Sequence, residues 1–343
     1  MARIKTSFAF TFAMLSFVLL ICFFINISLG SVQIPLDAIL EILSGSSAPS
    51  TWKIIVLDFR LPKAITAILV GSSLGVSGLL MQTLFRNPLA GPFVLGISSG
   101  ASLGVALVIL GSGLFGGTLA LAFVSKWSIV IASSLGSFLV LLAVLVVSQR
   151  VRDTMAILII GLMFGSVTAA IVSVMSYFSS AEQLQQYVFW GFGSLSNLAW
   201  DGVGILSVII IIGLILAIAS IKSLNSLLLG DAYAKSLGLN LKQSRLIIII
   251  ATSLLAGGVT AFAGPIAFIG LAIPHLTRQI FKTTNHKLLL PAVCIFGAVV
   301  MLICDSIAQV PTTDYTLPIN AITALIGAPV VIWLLTRQRK MIF

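Results

Sequence analysis

Charged side chains make up only 8% of the 343 residues, so the few places where they gather are where chemistry is conceivable. One is Lys222 to Arg245, KSLNSLLLGDAYAKSLGLNLKQSR, which sets Lys222, Asp231, Lys235, Lys242 and Arg245 between two long apolar runs. Leu224, Leu227 and Leu228, a stop at Gly230, then an Ala234 and Leu237 face closed by Gly238 spell short helix, turn, short helix. Such a loop either holds a partner or is a capped connector. A second pair of cations, Arg60 and Lys63, flanks Pro62 at the end of an apolar run. They read either as anchors that snorkel from a helix end or as a docking point for an acidic partner.

Catalytic constellations are missing from the sequence. No Gly-x4-Gly-Lys-Ser/Thr run exists to cradle a nucleotide, and no His-Glu-x-x-His occurs. Two histidines, His275 and His286, make no ligand set, so capping or interface roles are expected rather than a metal site. Cys22, Cys294 and Cys304 lack paired spacing and read as packing residues. Every carboxylate falls at the end of an apolar run or in a loop, whereas ion-driven carriers need an ionisable group near the bilayer midplane. The chain therefore lacks an engine of its own, and a motor docked on residues 222 to 245 would supply one.

The elements that position these residues are membrane spans. At 59% hydrophobic residues and a mean hydropathy of +1.19, no soluble globule could hide the apolar surface. Apolar runs of spanning length fall near 8–29, 62–84, 92–111, 127–147, 155–178, 203–220, 246–263, 264–281, 288–307 and 317–335. One helix over 246–281 would be roughly 54 Å long, too long for a single crossing, so Gly264-Pro265 must break it. The first run exceeds the apolar region of a signal peptide and is read as a retained helix. With both termini in the cytoplasm, fifteen of the nineteen Lys and Arg fall on the inner side, leaving Lys53, Arg60, Lys63 and Lys126 outside. The net charge of +10 is thus topology, not nucleic-acid binding.

Several stretches refine the layout. Val32 to Gly45 has the spacing of a short helix lying on the membrane, and Gly71, Gly75 and Gly78 share one side of the second span, inviting close helix approach. In the fifth span Ser166, Ala169, Ser173, Ser176 and Ser180 recur every three or four residues. That stripe either lines a pathway or packs against another helix. Tyr187, Phe189, Trp190 and Phe192 cluster at interface depth. Gly91-Pro92 and Gly264-Pro265 form a faint internal echo, as two inverted units of five spans would.

Six stretches together resemble a known family, the permease subunits of ABC importers for iron-siderophore, haem and vitamin B12. They are RLPK (60–63), RNPLAGP (86–92), GISSGA (96–101), GDAYAKSLG (230–238), AGPIAFIGLAIPHLTR (263–278) and LIGAPVVIWLL (325–335), in the family's order from about residue 30 onward. The resemblance implies an all-α permease domain of the type II importer fold, with ten membrane helices and residues 222–245 as its cytoplasmic coupling segment. It further implies a dimer with a second copy or a homologue, two ATPase subunits below that bind the ATP and Mg, and a substrate-binding protein above. This chain itself would hold no cofactor. Carried over by motif, Gly230, Asp231, Ala234, Leu237 and Gly238 would contact the ATPase, and Arg60 and Lys63 would dock the binding protein; the resemblance also implies a pathway lined partly by the fifth helix, which would set Ser166, Ala169, Ser173 and Ser176 along it. Two departures stand out. Gln309 occupies the place of an arginine in the family's Asp-x-x-Ala-Arg, and Asn320 that of a glycine.

The expected cargo is an iron(III)-siderophore-type chelate carried across the cytoplasmic membrane, with haem or cobalamin as alternatives. An ion-coupled carrier working alone is the reading from another class, and a membrane-embedded enzyme a more distant one.

Overall fold

The computed structural model describes residues 2–45, 49–114, 125–148, 154–310 and 315–336. The expected loop cations Arg150 and Arg152, Asp314 and the basic tail at Arg337, Arg339 and Lys340 lie outside the described residues. Among the described residues every regular element is helical: α1 (Ala2–Ser28), α2 (Leu36–Leu43), α3 (Ser50–Ile54), α4 (Leu61–Leu84), α5 (Ile97–Ile109), α6 (Lys126–Ser148), α7 (Thr154–Tyr177) and α8 (Ala181–Gly191). They continue with α9 (Trp200–Ala219), α10 (Ile221–Leu227), α11 (Asp231–Ser236), α12 (Leu241–Ala263), α13 (Ile269–Phe281), α14 (His286–Ala308) and α15 (Ile319–Thr336).

All ten expected spans find a helix. Seven are long and apolar enough to cross a membrane: α1, the continuous Ser50–Leu84 run, α6, α7, α9, α12 and α14. α5, α13 and α15 are shorter, each entered through non-helical or tighter backbone that contains a proline: Pro92, Pro265 and Pro318. Proline cannot donate to a preceding turn, so the helix restarts after it. The expected break falls at Gly264, where φ is +77°, and the chain regains helix only at Ile269. Ser50–Leu84 stays helical past Pro62 by widening into a π turn over Ile55–Arg60.

α4 forms the axis of the bundle, buried along nearly its whole length and packed by α14, α12, α13 and α9. Helices in lipid gain little from apolar burial against each other, so close backbone approach carries the packing. Gly71 meets Gly297 of α14 and Gly78 meets Gly270 of α13, and a Cβ at either position would run into the facing carbonyl. Gly100 and Gly104 of α5 make the same kind of contact with Gly136 and Ala132 of α6. The expected glycine face of the second span is therefore a two-sided seam, with a neighbour at each end.

The surface helix expected over Val32 to Gly45 is shorter and less peripheral. Only Leu36–Leu43 is helical, and Ala38, Ile39 and Ile42 are buried in the main core. Leu36, Leu40 and Leu43 remain exposed, so apolar residues serve two sides of α2: one for the bundle, one for lipid.

Candidate functional site

The platform of residues 221–245 is built as two short helices joined by a left-handed turn. α10 follows α9 after a single turn residue, Ser220, and Leu224 and Leu227 bury its inner side. Gly230 takes φ of +100° and Gly238 +82°, conformations that a Cβ would strain, so the two glycines fix where α11 starts and stops. Arg245 of α12 reaches back to Asp231 with Nη2 2.6 Å from Oδ2, tying the start of α11 to the following span. Asn240 caps α12 through its side-chain oxygen, which accepts from the Gln243 N–H at 3.1 Å.

Burial divides the expected contact residues. Ala234 is fully buried and packs the platform onto the bundle, so it supports the motif from within and presents nothing outward. Leu237, expected on one face with Ala234, differs from it in being 58% exposed, because α11 ends at Ser236 and the turn at Gly238 swings it out. With Leu229 at 62% and Tyr233 at 52%, it is one of three exposed apolar side chains on this charged segment. Leu229 and Tyr233 escaped sequence reasoning, although Leu229 stands beside Gly230 and Tyr233 lies inside the 230–238 stretch.

At the opposite end of the bundle both expected docking cations have partners within the chain. The Arg60 guanidinium donates to the carbonyl oxygens of Ile27 at 2.7 Å, Ser28 at 3.0 Å and Val32, closing the C-terminus of α1. Those carbonyls have no donor within the helix, and a cation suits that end of the helix dipole. Lys63 Nζ lies 3.1 Å from Asp305 Oδ1, and the Asp305 side chain is only 3% exposed. Asn26 of α1 and Gln309 each donate to Asp305 Oδ2 at 2.9 Å. Gln309, in the place of a family cation, thus faces inward and saturates a carboxylate. Lys63 and Asp305 also line a cavity of about 310 Å³, together with Phe189, Phe192, Ser194 and Leu317.

The second departure also has a structural partner. Asn320 Oδ1 accepts from the Ala267 N–H at 3.0 Å, and the Asn320 N–H donates to Phe192 O at 3.2 Å. A glycine could not make the first bond, so the interruption between α12 and α13 is pinned by the first turn of α15.

On α7, Ser166, Ala169 and Ser173 are exposed and Ser176 half-exposed, and Met163, Val167, Val174 and Tyr177 are exposed beside them. Ser166 Oγ donates to Leu162 O at 3.2 Å and Ser173 Oγ to Ala169 O at 2.9 Å. These hydroxyls spend their protons on their own helix, so the face is weakly polar and offers few free donors. Ser180 lies past the end of α7 and caps α8 in a reciprocal pair with Gln183. The aromatic cluster of α8 includes a stacked Tyr187 and Trp190 with ring centroids 6.2 Å apart. Among the described residues no cluster of three metal-ligating side chains exists.

A helical bundle with interrupted spans around a buried axis and a structured loop platform at one end is the architecture of a multi-pass ABC importer permease. Residues 18–337 match the FecCD transport family, and the chain belongs to that family. The hemin transport system permease protein HmuU of Yersinia pestis is 35% identical over 329 residues, covering 95% of this chain and 96% of its own. The vitamin B12 import system permease protein BtuC of Salmonella typhi is 34% identical over 318 residues, covering 90% and 94%. A metal-chelate type ABC transporter solved in an inward-facing conformation superimposes with a TM-score of 0.81 at 29% identity, over 96% of this chain and 100% of that one. PsaBC from Streptococcus pneumoniae, at 16% identity and a TM-score of 0.55, shares the fold.

Proposed function

We propose that this chain forms the membrane pathway of an ATP-driven importer for an iron(III)-siderophore-type chelate, with the platform and both termini in the cytoplasm. ATPase subunits grip residues 222–245, and the exposure of the apolar side chains Leu229, Tyr233 and Leu237 is the observation that carries this reading. Apolar side chains outside the bundle, on a segment that also holds Lys235 and Asp231, suit a protein partner rather than lipid. Gly230, Asp231 and Gly238 shape the segment, and Ala234 anchors it. ATP and Mg belong to those subunits, so hydrolysis is their work.

A second copy of the chain, or a sister permease, would cover the α7 face, leaving a passage lined by Ser166, Ala169, Ser173 and Ser176. A substrate-binding protein would deliver cargo at the other end, near Lys63. Haem and cobalamin are the alternative cargoes, since relatives are named for hemin and vitamin B12. A face with few free hydrogen-bond donors suits a bulky chelate whose polar atoms are turned onto its metal.

The test is co-purification with candidate ATPases, with a photocrosslinker at Tyr233 or Leu237. Crosslinks to a nucleotide-hydrolysing subunit are expected. Uptake by vesicles holding this chain alone, driven by a proton or sodium gradient and indifferent to ATP, would overturn the reading. Affinities of the associated binding protein for ferric siderophore, haem and cobalamin then decide the cargo.

A further inference from the structure

His286, the first residue of α14, is fully buried at the platform end of the bundle. Its Nδ1 lies 2.8 Å from Asn225 Oδ1 in α10, and the same oxygen accepts the His286 backbone N–H at 3.0 Å. A backbone N–H can only donate, so the Asn225 atom facing both groups is the amide oxygen, and Nδ1 carries the ring proton. Nε2 of the neutral ring is then an acceptor. It lies 2.8 Å from Thr83 Oγ1, near the end of α4. The single hydroxyl proton of Thr83 has two acceptors within reach, Nε2 and Leu79 O at 2.8 Å, and the tautomer assigns it to the ring. Asn225 passes the chain on by donating to Asn285 Oδ1 at 3.2 Å, the oxygen that caps α14.

Three helices are thus joined end to end by hydrogen bonds that all point one way, buried between α4 and α14 and half-buried at α10: α4 through Thr83, α14 through His286, and α10 through Asn225. Breaking the Thr83–His286 link alone would strand two buried polar groups, so these ends resist separation more than apolar contacts that can slide. One residue before Thr83, Gln82 Oε1 accepts from Arg278 Nη1 at 2.8 Å while its amide donates to Leu271 O at 3.0 Å, which fastens the other side of α4 to α13. Beyond Thr83 the chain turns at Arg86, whose guanidinium lies beside Gly230, with Nη1 3.3 Å from where a Cβ would stand.

We propose that the Thr83–His286–Asn225 chain is the rigid link by which displacement of the platform reaches the end of α4 and the 86–92 loop, making Thr83 and His286 positioning residues for transport. The inference deepens the coupling reading of the platform and rests on it. Motion imposed on residues 222–245 would shift α10, and the polar chain would carry α4 with it, where a purely apolar junction would let the two slip.

The test uses the full complex with its co-purified ATPase subunits in lipid nanodiscs. Leu89, exposed in the 86–92 loop, is replaced (Leu89→Cys) and labelled with an environment-sensitive fluorophore, and the probe is ATP with vanadate. Thr83→Val keeps the side-chain shape and removes the hydroxyl; His286→Ala removes the ring. Ser77→Ala, which loses a buried α4 hydroxyl bonded only to Leu74 O at 2.9 Å, is the packing control. The nucleotide-dependent signal should fall about threefold or more in Thr83→Val and His286→Ala, with the wild-type response kept in Ser77→Ala and ATP hydrolysis continuing in all three. Wild-type response in both chain variants overturns the proposal, as does an equal loss in Ser77→Ala. No response in the wild-type complex overturns the coupling reading and this link together.

Discussion

The Lys63 ammonium lies 3.1 Å from the Asp305 carboxylate, joining the outset of α4 to the last turn of α14. The Asp305 side chain is 3% exposed and that of Lys63 15%, so removing one partner strands the other in a poorly solvated site. Lys63→Met is expected to cost about 3 kcal/mol, the lower part of the range for broken buried pairs, because Asn26 and Gln309 still donate to Asp305. Lys63→Met combined with Asp305→Asn should recover about 1 kcal/mol or more of that loss. Thermal unfolding of the detergent-purified single and double variants measures the difference.

The same pair shapes the proposed docking of a binding protein. A carboxylate arriving at Lys63 must compete with Asp305, so Asp305→Asn should tighten capture of the loaded binding protein and Lys63→Gln should weaken it, each by about tenfold at low salt. Arg60→Glu is a poorer probe, since it would also open the end of α1. Binding assays across a salt series check the two directions.

The seams around α4 make a sharper steric forecast. A Cβ on Gly71 or Gly78 meets backbone carbonyls of Gly297 and Gly270, which cannot swing aside as a side chain can. Gly71→Ala and Gly78→Ala should each destabilise by about 3 kcal/mol or fail to assemble. Gly191→Ala and Gly204→Ala, where a Cβ finds open space, should stay within about 0.5 kcal/mol of wild type. Yield and melting temperature in one detergent read out all four.

The layout of spans was legible because it rests on local quantities: the length of apolar runs, glycine at three- or four-residue spacing, and Gly-Pro where a helix must stop. The short-helix, turn, short-helix form of the platform was legible for the same reason. What stayed hidden depends on partners far apart in the chain. Asp305 reads as one more carboxylate at a span end until Asn26 and Lys63 arrive from α1 and α4. Arg60 reads as a free cation because its partners are backbone carbonyls, which carry no signature in side-chain identity. Asn26, a lone amide in an otherwise apolar helix, was the signal available for the first of these. The outward turn of Leu237 depended on where α11 stopped, and helix ends are the least predictable part of an element.

The platform separates stability from coupling. Arg245 and Asp231 form a partly exposed pair, for which solvent screening leaves about 0–1 kcal/mol. Asp231→Asn should therefore melt close to wild type. Tyr233→Ala removes one of three exposed apolar side chains on the platform, and should weaken attachment of the ATPase subunits by about tenfold with the bundle's melting temperature unchanged. Pull-down titrations run beside thermal unfolding separate the two effects, and a Tyr233→Ala variant that loses stability instead would assign the side chain to folding.

The α7 face sets a contrast between chemistry and bulk. Ser173 gives its hydroxyl proton to Ala169 O at 2.9 Å, so a passing chelate finds at most a lone pair there. Ser173→Ala removes little that cargo could use, and uptake should stay within about twofold of wild type. Ser173→Trp adds a ring to an exposed position on the same face and should slow uptake by about tenfold or more if the cargo passes there, because a single steric barrier of about 1.4 kcal/mol already gives that factor. Cellular uptake of the radiolabelled ferric chelate, scaled to the amount of complex in the membrane, distinguishes the outcomes. Normal transport by Ser173→Trp in an intact complex would return the serine stripe to helix packing, and a loss in Ser173→Ala as large as in Ser173→Trp would mean that the hydroxyl itself meets the cargo.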